Sequence, residues 1–247
     1  MINKHYTNAP VIEAVIGFQT QASEISDNSI NSFCDELKDK FPTSNPISKI
    51  QMEMNPNPNV EDLLLSSTKS SEGFRLINVE NSRIIQAKRD GMTYSHLPPY
   101  TEWETFVNEA KDIWRIYTKH CKPSSVIRVG LRYINRVDLP HAKIELEEFF
   151  TLYPHVPKTL SQQDIAGMQL QLNMPQNDLN SLAIIQEALV DPAIPSGISL
   201  ILDIDIFTAI KYQPGSSKIW NLLNKLRTRK NDLFEAFITD KTREIIK

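Results

Sequence analysis

Apolar and polar positions alternate from Val11 to Thr20, with Ile12, Ala14, Ile16 and Phe18 on one side, which predicts a strand. Ile30, Phe33, Cys34, Leu37 and Phe41 then recur at helical spacing, and Pro42 stops the run. Ile50, Met52 and Met54 alternate with Lys49, Gln51 and Glu53, a second strand. Asn55-Pro-Asn-Pro-Asn59 cannot continue a ladder, and the polar stretch Ser66 to Ser71 reads as a mobile loop. Phe74 to Val79 and Arg83 to Arg89 predict a hairpin around Glu80-Asn81-Ser82, after which Asp90-Gly91 turns the chain. Past Pro98-Pro99, Thr101 and Glu104 fit a capping box. They open a long helix with Trp103, Phe106, Val107, Ala110, Ile113, Trp114 and Tyr117 on one face.

The second half follows the same order. Val126 to Leu139 reads as a strand, Leu146 to Tyr153 as a short helix ended by Pro154, and Asp164 to Met174 as a strand. Leu182 to Leu189 fits a strand or a short helix, and Ser199 to Ala209 a strand. Ser217 to Ile246 is a long helix, broken once. Each half thus runs strand, helix, three strands, helix. The expected class is α+β, an antiparallel sheet with long helices on one face. The halves, 1–122 and 123–247, either join into one curved sheet, in the manner of the TATA-binding protein, or stand as two lobes.

Composition narrows the function classes. The chain has 247 residues, a net charge of −3 and 40% apolar residues, which excludes a disordered chain and a protein that coats nucleic acid along its length. No two of its seven glycines lie within ten residues, so no Gly-rich phosphate cradle is present. Cys34 and Cys121 make neither a disulfide framework nor a zinc site, and no spaced histidine pair supports a zinc hydrolase. The start lacks the apolar core of a signal peptide and no run reaches bilayer length, so a soluble, cytoplasmic protein with no membrane partner is expected.

The near-neutral total conceals a local excess. Lys211 to Lys247 holds nine basic and four acidic residues, with Arg227, Arg229 and Lys230 clustered. Such a face either binds an acidic partner or is simply solvated. The strand Val126 to Leu139 carries the most unusual pattern. Ile127, Val129, Leu131, Tyr133 and Val137 point one way, whereas Arg128, Gly130, Arg132, Ile134 and Arg136 point the other. Three guanidiniums on one face, over roughly 27 Å, suit a phosphate backbone or another polyanion. The plainer alternative pairs them with Asp203 and Asp205, which share one face of a neighbouring strand. Those two carboxylates would otherwise suit a divalent metal such as magnesium.

Asn8-Ala-Pro-Val-Ile-Glu-Ala14, Tyr100-x-x-Trp103, Arg128-Val-Gly-Leu-Arg-Tyr-Ile-Asn-Arg136 and Phe237-Ile-Thr-Asp240 together resemble a sporadically distributed bacterial family of uncharacterised proteins of about this length. The resemblance brings no activity or catalytic residue. Its scattered occurrence implies mobile elements, such as phage-defence or toxin–antitoxin loci. The expected function is a non-catalytic binding module that recognises a protein partner or nucleic acid, with Arg128, Arg132, Asn135, Arg136, Arg227, Arg229 and Lys230 as contacts. No cofactor is expected. The alternatives are a metal-dependent enzyme acting on nucleic acid or nucleotide through Asp203 and Asp205, and a small-molecule pocket between sheet and helices.

Overall fold

The computed structural model describes residues 6–21, 25–55, 64–100, 102–139 and 145–247. In chain order they form β1 (Val11–Gln21), α1 (Asp27–Leu37), β2 (Thr43–Asn55), β3 (Leu64–Ile77), β4 (Arg83–Lys88) and β5 (Gly91–His96). There follow α2 (Trp103–Cys121), β6 (Ser125–Leu139), β7 (Gln169–Gln176), β8 (Ser181–Val190), β9 (Ile198–Thr208), α3 (Lys218–Phe237) and α4 (Asp240–Ile245). The strands make one antiparallel sheet in the order β2-β3-β4-β5-β1-β6-β9-β8-β7, so the architecture is α+β. The first strand of each half, β1 or β6, lies at the centre, and the last, β5 or β9, returns to pair with it. The cut near residues 120–125 therefore runs through one continuous sheet. Among the described residues no helix is long and apolar enough to cross a membrane.

The inner face of the sheet carries Ala14, Ile16 and Phe18 of β1, Leu131 and Tyr133 of β6, and Leu202, Ile204 and Ile206 of β9, all buried. Helices cover it through aromatic contacts. Phe18 meets Trp114 at 4.4 Å between ring centroids, Tyr94 meets Phe106 at 5.5 Å, and Phe33 of α1 meets Tyr117 of α2 at 5.7 Å. Two bulges in the β1–β6 ladder change which side chains share that face. Register shifts lie between Val11 and Glu13 and between Gln19 and Thr20. Ile12 and Ile127, expected inside by strict alternation, are the extra residues at these shifts. Ile12 is left exposed and Val126 takes the buried position beside half-buried Ile127.

Other departures have local causes. Gly91 starts a fourth strand after α1, β5, where three were expected. At its φ of 148° a Cβ would sit 2.0 Å from the Phe18 carbonyl oxygen, so the close β1–β5 approach needs glycine. Ser66 to Ser71, read as a loop, lies in β3 and pairs with β2, because ladder bonds come from backbone groups that serine supplies as well as any residue. The helix expected from Leu146 to Tyr153 is one 3₁₀ turn, Leu146–Glu148. Beyond it the Phe149 carbonyl accepts Thr239 N–H, and Phe150 bridges to Ile238, at the break between α3 and α4. β7 begins only at Gln169 and runs through Pro175, which a sheet edge tolerates. Residues 56–59 of the expected turn and the Thr101 half of the capping box fall outside the described residues; Asn55 ends β2, and Glu102 takes the N-cap position of α2.

Candidate functional site

The arginine row lies on the outer face of β6, and its cations are matched. Arg132 Nε donates to Asp203 at 2.8 Å, with a second contact through Nη2. Arg128 Nη2 donates to Asp205 at 2.9 Å, and Arg136 Nε to Asp138 at 2.8 Å. The first two pairs run diagonally, since Arg132 stands opposite Asp205 and Ile134 opposite Asp203 in the register. Gly130 leaves room for the ligand's nearest rival, the chain's own side chain. The Arg128 guanidinium lies 2.7 Å from where a Gly130 Cβ would be, and 4.0 Å from the Phe207 ring centroid. The row thus presents no uncompensated positive charge.

Asp203 and Asp205 are committed to the same pairs. A divalent ion would have to displace both guanidiniums, and the described residues contain no group of three His, Cys, Asp or Glu placed to hold one. Burial lifts the Asp205 carboxyl above its ordinary range, against the pull of Arg128 and Arg132. Asp203 is only 7% exposed, whereas Arg132 is 45% exposed. Arg132→Gln strands the more buried partner and is expected to cost about 1–3 kcal/mol, nearer the lower figure because Arg132 is solvated. A reduced urea midpoint at unchanged slope measures it; an unaltered midpoint counts against the pairing as a stabilising contact.

The clustered basic residues of α3, Arg227, Arg229 and Lys230, divide between two faces, as about 100° per residue requires. Arg229 turns to the β7–β8 connection, where Nη2 donates to Asp178 at 2.6 Å and holds that carboxyl below its usual range. Arg227 and Lys230 face inward and line a cavity of about 960 Å³ between the sheet, the start of α2 and α3. Asn135, also expected as a contact, points into the same cavity wall from the inner face of β6, with Nδ2 donating to the Leu202 carbonyl at 3.0 Å.

Long-range ties frame this cavity. Trp103 Nε1 donates to Asn224 Oδ1 at 2.8 Å and locks the start of α2 to α3. Asn8 N–H donates to the Ile246 carbonyl at 3.2 Å, and Arg136 N–H to the Pro10 carbonyl at 2.8 Å, which pins the segment before β1 to both the C-terminus and the sheet. Tyr6 donates to Glu235 at 2.5 Å, and Arg243 Nε to the same carboxylate at 2.9 Å. On the floor, the Tyr100 and Tyr133 hydroxyls are hydrogen-bonded at 2.6 Å. His96 packs against Tyr100 at 5.1 Å; its Nδ1–H donates to the Leu97 carbonyl, which leaves a buried Nε2 without a partner.

Lys230 is the chemically distinctive member. Its Nζ lies 3.9 Å from the centroid of the Tyr133 ring. Among the described residues it makes no hydrogen bond or ion pair. Burial pushes its amine down to about 7. Burial likewise holds the Tyr100 and Tyr133 phenols above their ordinary range. Tyr133 was legible only as part of an apolar strand face, and Tyr100 only through the Tyr100-x-x-Trp103 stretch, whereas Lys230 stood among the clustered basic residues. The available signal was a lysine inside the apolar stripe Leu223, Leu226, Leu233, Phe234, Phe237, at core spacing. Compared with protein-family models, with curated proteins and with solved structures, the chain matches none.

Proposed function

We propose that the protein is a non-catalytic binding module whose ligand seats in the cavity between β6, α2 and α3. The observation that carries this reading is a convergence. Three segments far apart in the chain contribute to the same cavity, Asn8–Val11, then Tyr100 with Glu102 and Trp103, then Tyr133 with Asn135, and each belongs to a stretch that carries the family resemblance. A cleft of this size with an aromatic wall and a few convergent polar groups has the form of a small-molecule site. A polyanion contact across the outer face draws less support, because Asp203, Asp205 and Asp138 already neutralise the arginines.

The test is cavity filling. Thr228 lines the cavity from an exposed position on α3, so Thr228→Trp narrows the site without opening the core. Wild-type protein purified without denaturation is expected to show bound mass in native mass spectrometry, or a raised thermal midpoint with members of a metabolite panel. Thr228→Trp is expected to lose that signal. Wild-type protein at its sequence mass that responds to no panel member overturns the reading, as does ligand binding that Thr228→Trp leaves intact.

A further inference from the structure

We infer that the ligand of this cavity carries an anionic head, a carboxylate or a phosphate, that docks against Lys230 and Arg227 beside the ring of Tyr100. The inference rests on the cavity reading and deepens it.

Lys230 and Arg227 stand three residues apart on one face of α3, so both side chains reach the same wall. Neither is fully satisfied. The Lys230 ammonium meets only the face of Tyr133, which leaves its three donors unused. Arg227 lies 5.6 Å from the Trp103 ring centroid and makes only a loose 3.7 Å ion pair with Glu104, itself 66% exposed. The charged and titratable neighbours come from every side. On α3 they are Arg227, Asp232 and Glu235; from the approach to α2 come Tyr100, Glu102 and Glu104; Tyr6 and Tyr133 complete the wall. Glu235 is already engaged by Tyr6 and Arg243, and Glu102 and Glu104 lie toward solvent. Arg227 and Lys230 therefore face the cavity while Glu235, the carboxylate that acts on Lys230, is already occupied.

A buried charge without a partner is unfavourable, and an unbranched apolar side chain would fill the same place more stably. An incoming anion reverses that balance. It supplies the missing acceptor and favours the charged amine, so binding takes up a proton at a pH where free Lys230 is largely neutral. A cationic ligand would meet the Arg227 guanidinium and oppose protonation of Lys230. The aromatic floor of Tyr100 and Tyr133 suits a flat or apolar body behind the head.

Isothermal titration at pH 8 with four phenyl compounds tests this. Phenylacetate and phenyl phosphate carry the two heads, phenylacetamide is the neutral counterpart and phenethylamine the cation. At least one anion is expected to bind about tenfold or more tighter than phenylacetamide. Titration in two buffers of different ionisation enthalpy is expected to show proton uptake. Lys230→Met should lower anion affinity about tenfold or more and leave phenylacetamide within about threefold. Arg227→Gln, at a half-exposed position, should weaken the anions in the same direction and serves if Lys230→Met fails to fold. The preference between the two anions identifies the head. Phenylacetamide binding as tightly as the anions, or anion affinity unmoved in both variants, overturns the inference and leaves the cavity reading standing. No binding by any of the four at millimolar concentration overturns both.

Discussion

Lys230→Met is expected to make the protein more stable, by about 2–4 kcal/mol near pH 7, while removing its proposed anion contact. Lys230 is 9% exposed and has no carboxylate partner among the described residues, and its amine is pushed down to about 7 by burial. In the unfolded chain the same amine titrates near 10.5. Between those values the unfolded state binds more protons than the folded state, so stability rises with pH across that window. Below about pH 7 both states are protonated and the full penalty is present; above about 10.5 both are neutral and it vanishes. Methionine has no proton to gain, so its advantage over the wild type should be largest at pH 6–7 and shrink toward pH 10. Urea midpoints at pH 6, 8 and 10 measure this difference. A variant that is less stable than the wild type at pH 6 would show that the ammonium is satisfied in the folded protein.

Glu187→Leu should also stabilise, with the opposite pH dependence. Glu187 occupies an inner-face position of β8 between Leu170 and Leu202, is fully buried, and has no partner for either carboxylate oxygen. Burial raises its carboxyl to about 8 from an unfolded value near 4.5. Here the folded state holds the proton longer, so stability falls as pH rises from 4.5 to 8. The penalty is absent below about pH 4.5 and complete above about pH 8. Replacement by leucine, close in volume, is expected to gain about 2–4 kcal/mol at pH 8 and less at pH 5, where only an unpaired neutral carboxyl is removed. Glu187→Gln separates charge from polarity: it removes the pH dependence but keeps an unpaired buried amide, so its gain should be smaller. Equal effects of Glu187→Leu at pH 5 and pH 8 would count against a buried, titrating carboxyl.

Both residues break a rule that the rest of the chain obeys, and both stand where the periodicity demands an apolar side chain. Lys230 interrupts the stripe of α3 between Leu226 and Leu233, and Glu187 follows Ala183 and Ile185 on the inner face of β8. Such exceptions were readable in the pattern, although the clustering of Lys230 with Arg227 and Arg229 made it look like one member of a solvated basic face. Helical geometry separates the three: Arg229 turns out to Asp178, and Lys230 turns in to Tyr133. The arginine row had the reverse history. Its alternation and its partners on β9 were visible together, because period two dictates both faces. Which carboxylate meets which guanidinium depended on the β6–β9 register and came out diagonal.

The polar–apolar pattern by itself determined the α+β class, the faces of α1, α2 and α3, and most strands, since each of these follows from a local period that burial rewards. Local period carries no information about strand order, about where a bulge moves a side chain, or about which distant segments meet. Those depend on backbone pairing and close packing between residues up to 239 positions apart, as in the contact of Asn8 with Lys247. Tertiary structure therefore decided that β1 and β6 sit side by side at the centre. It also decided that the three aspartates neutralise the arginines, and that Tyr100, Tyr133 and Lys230 face one another across a single cavity.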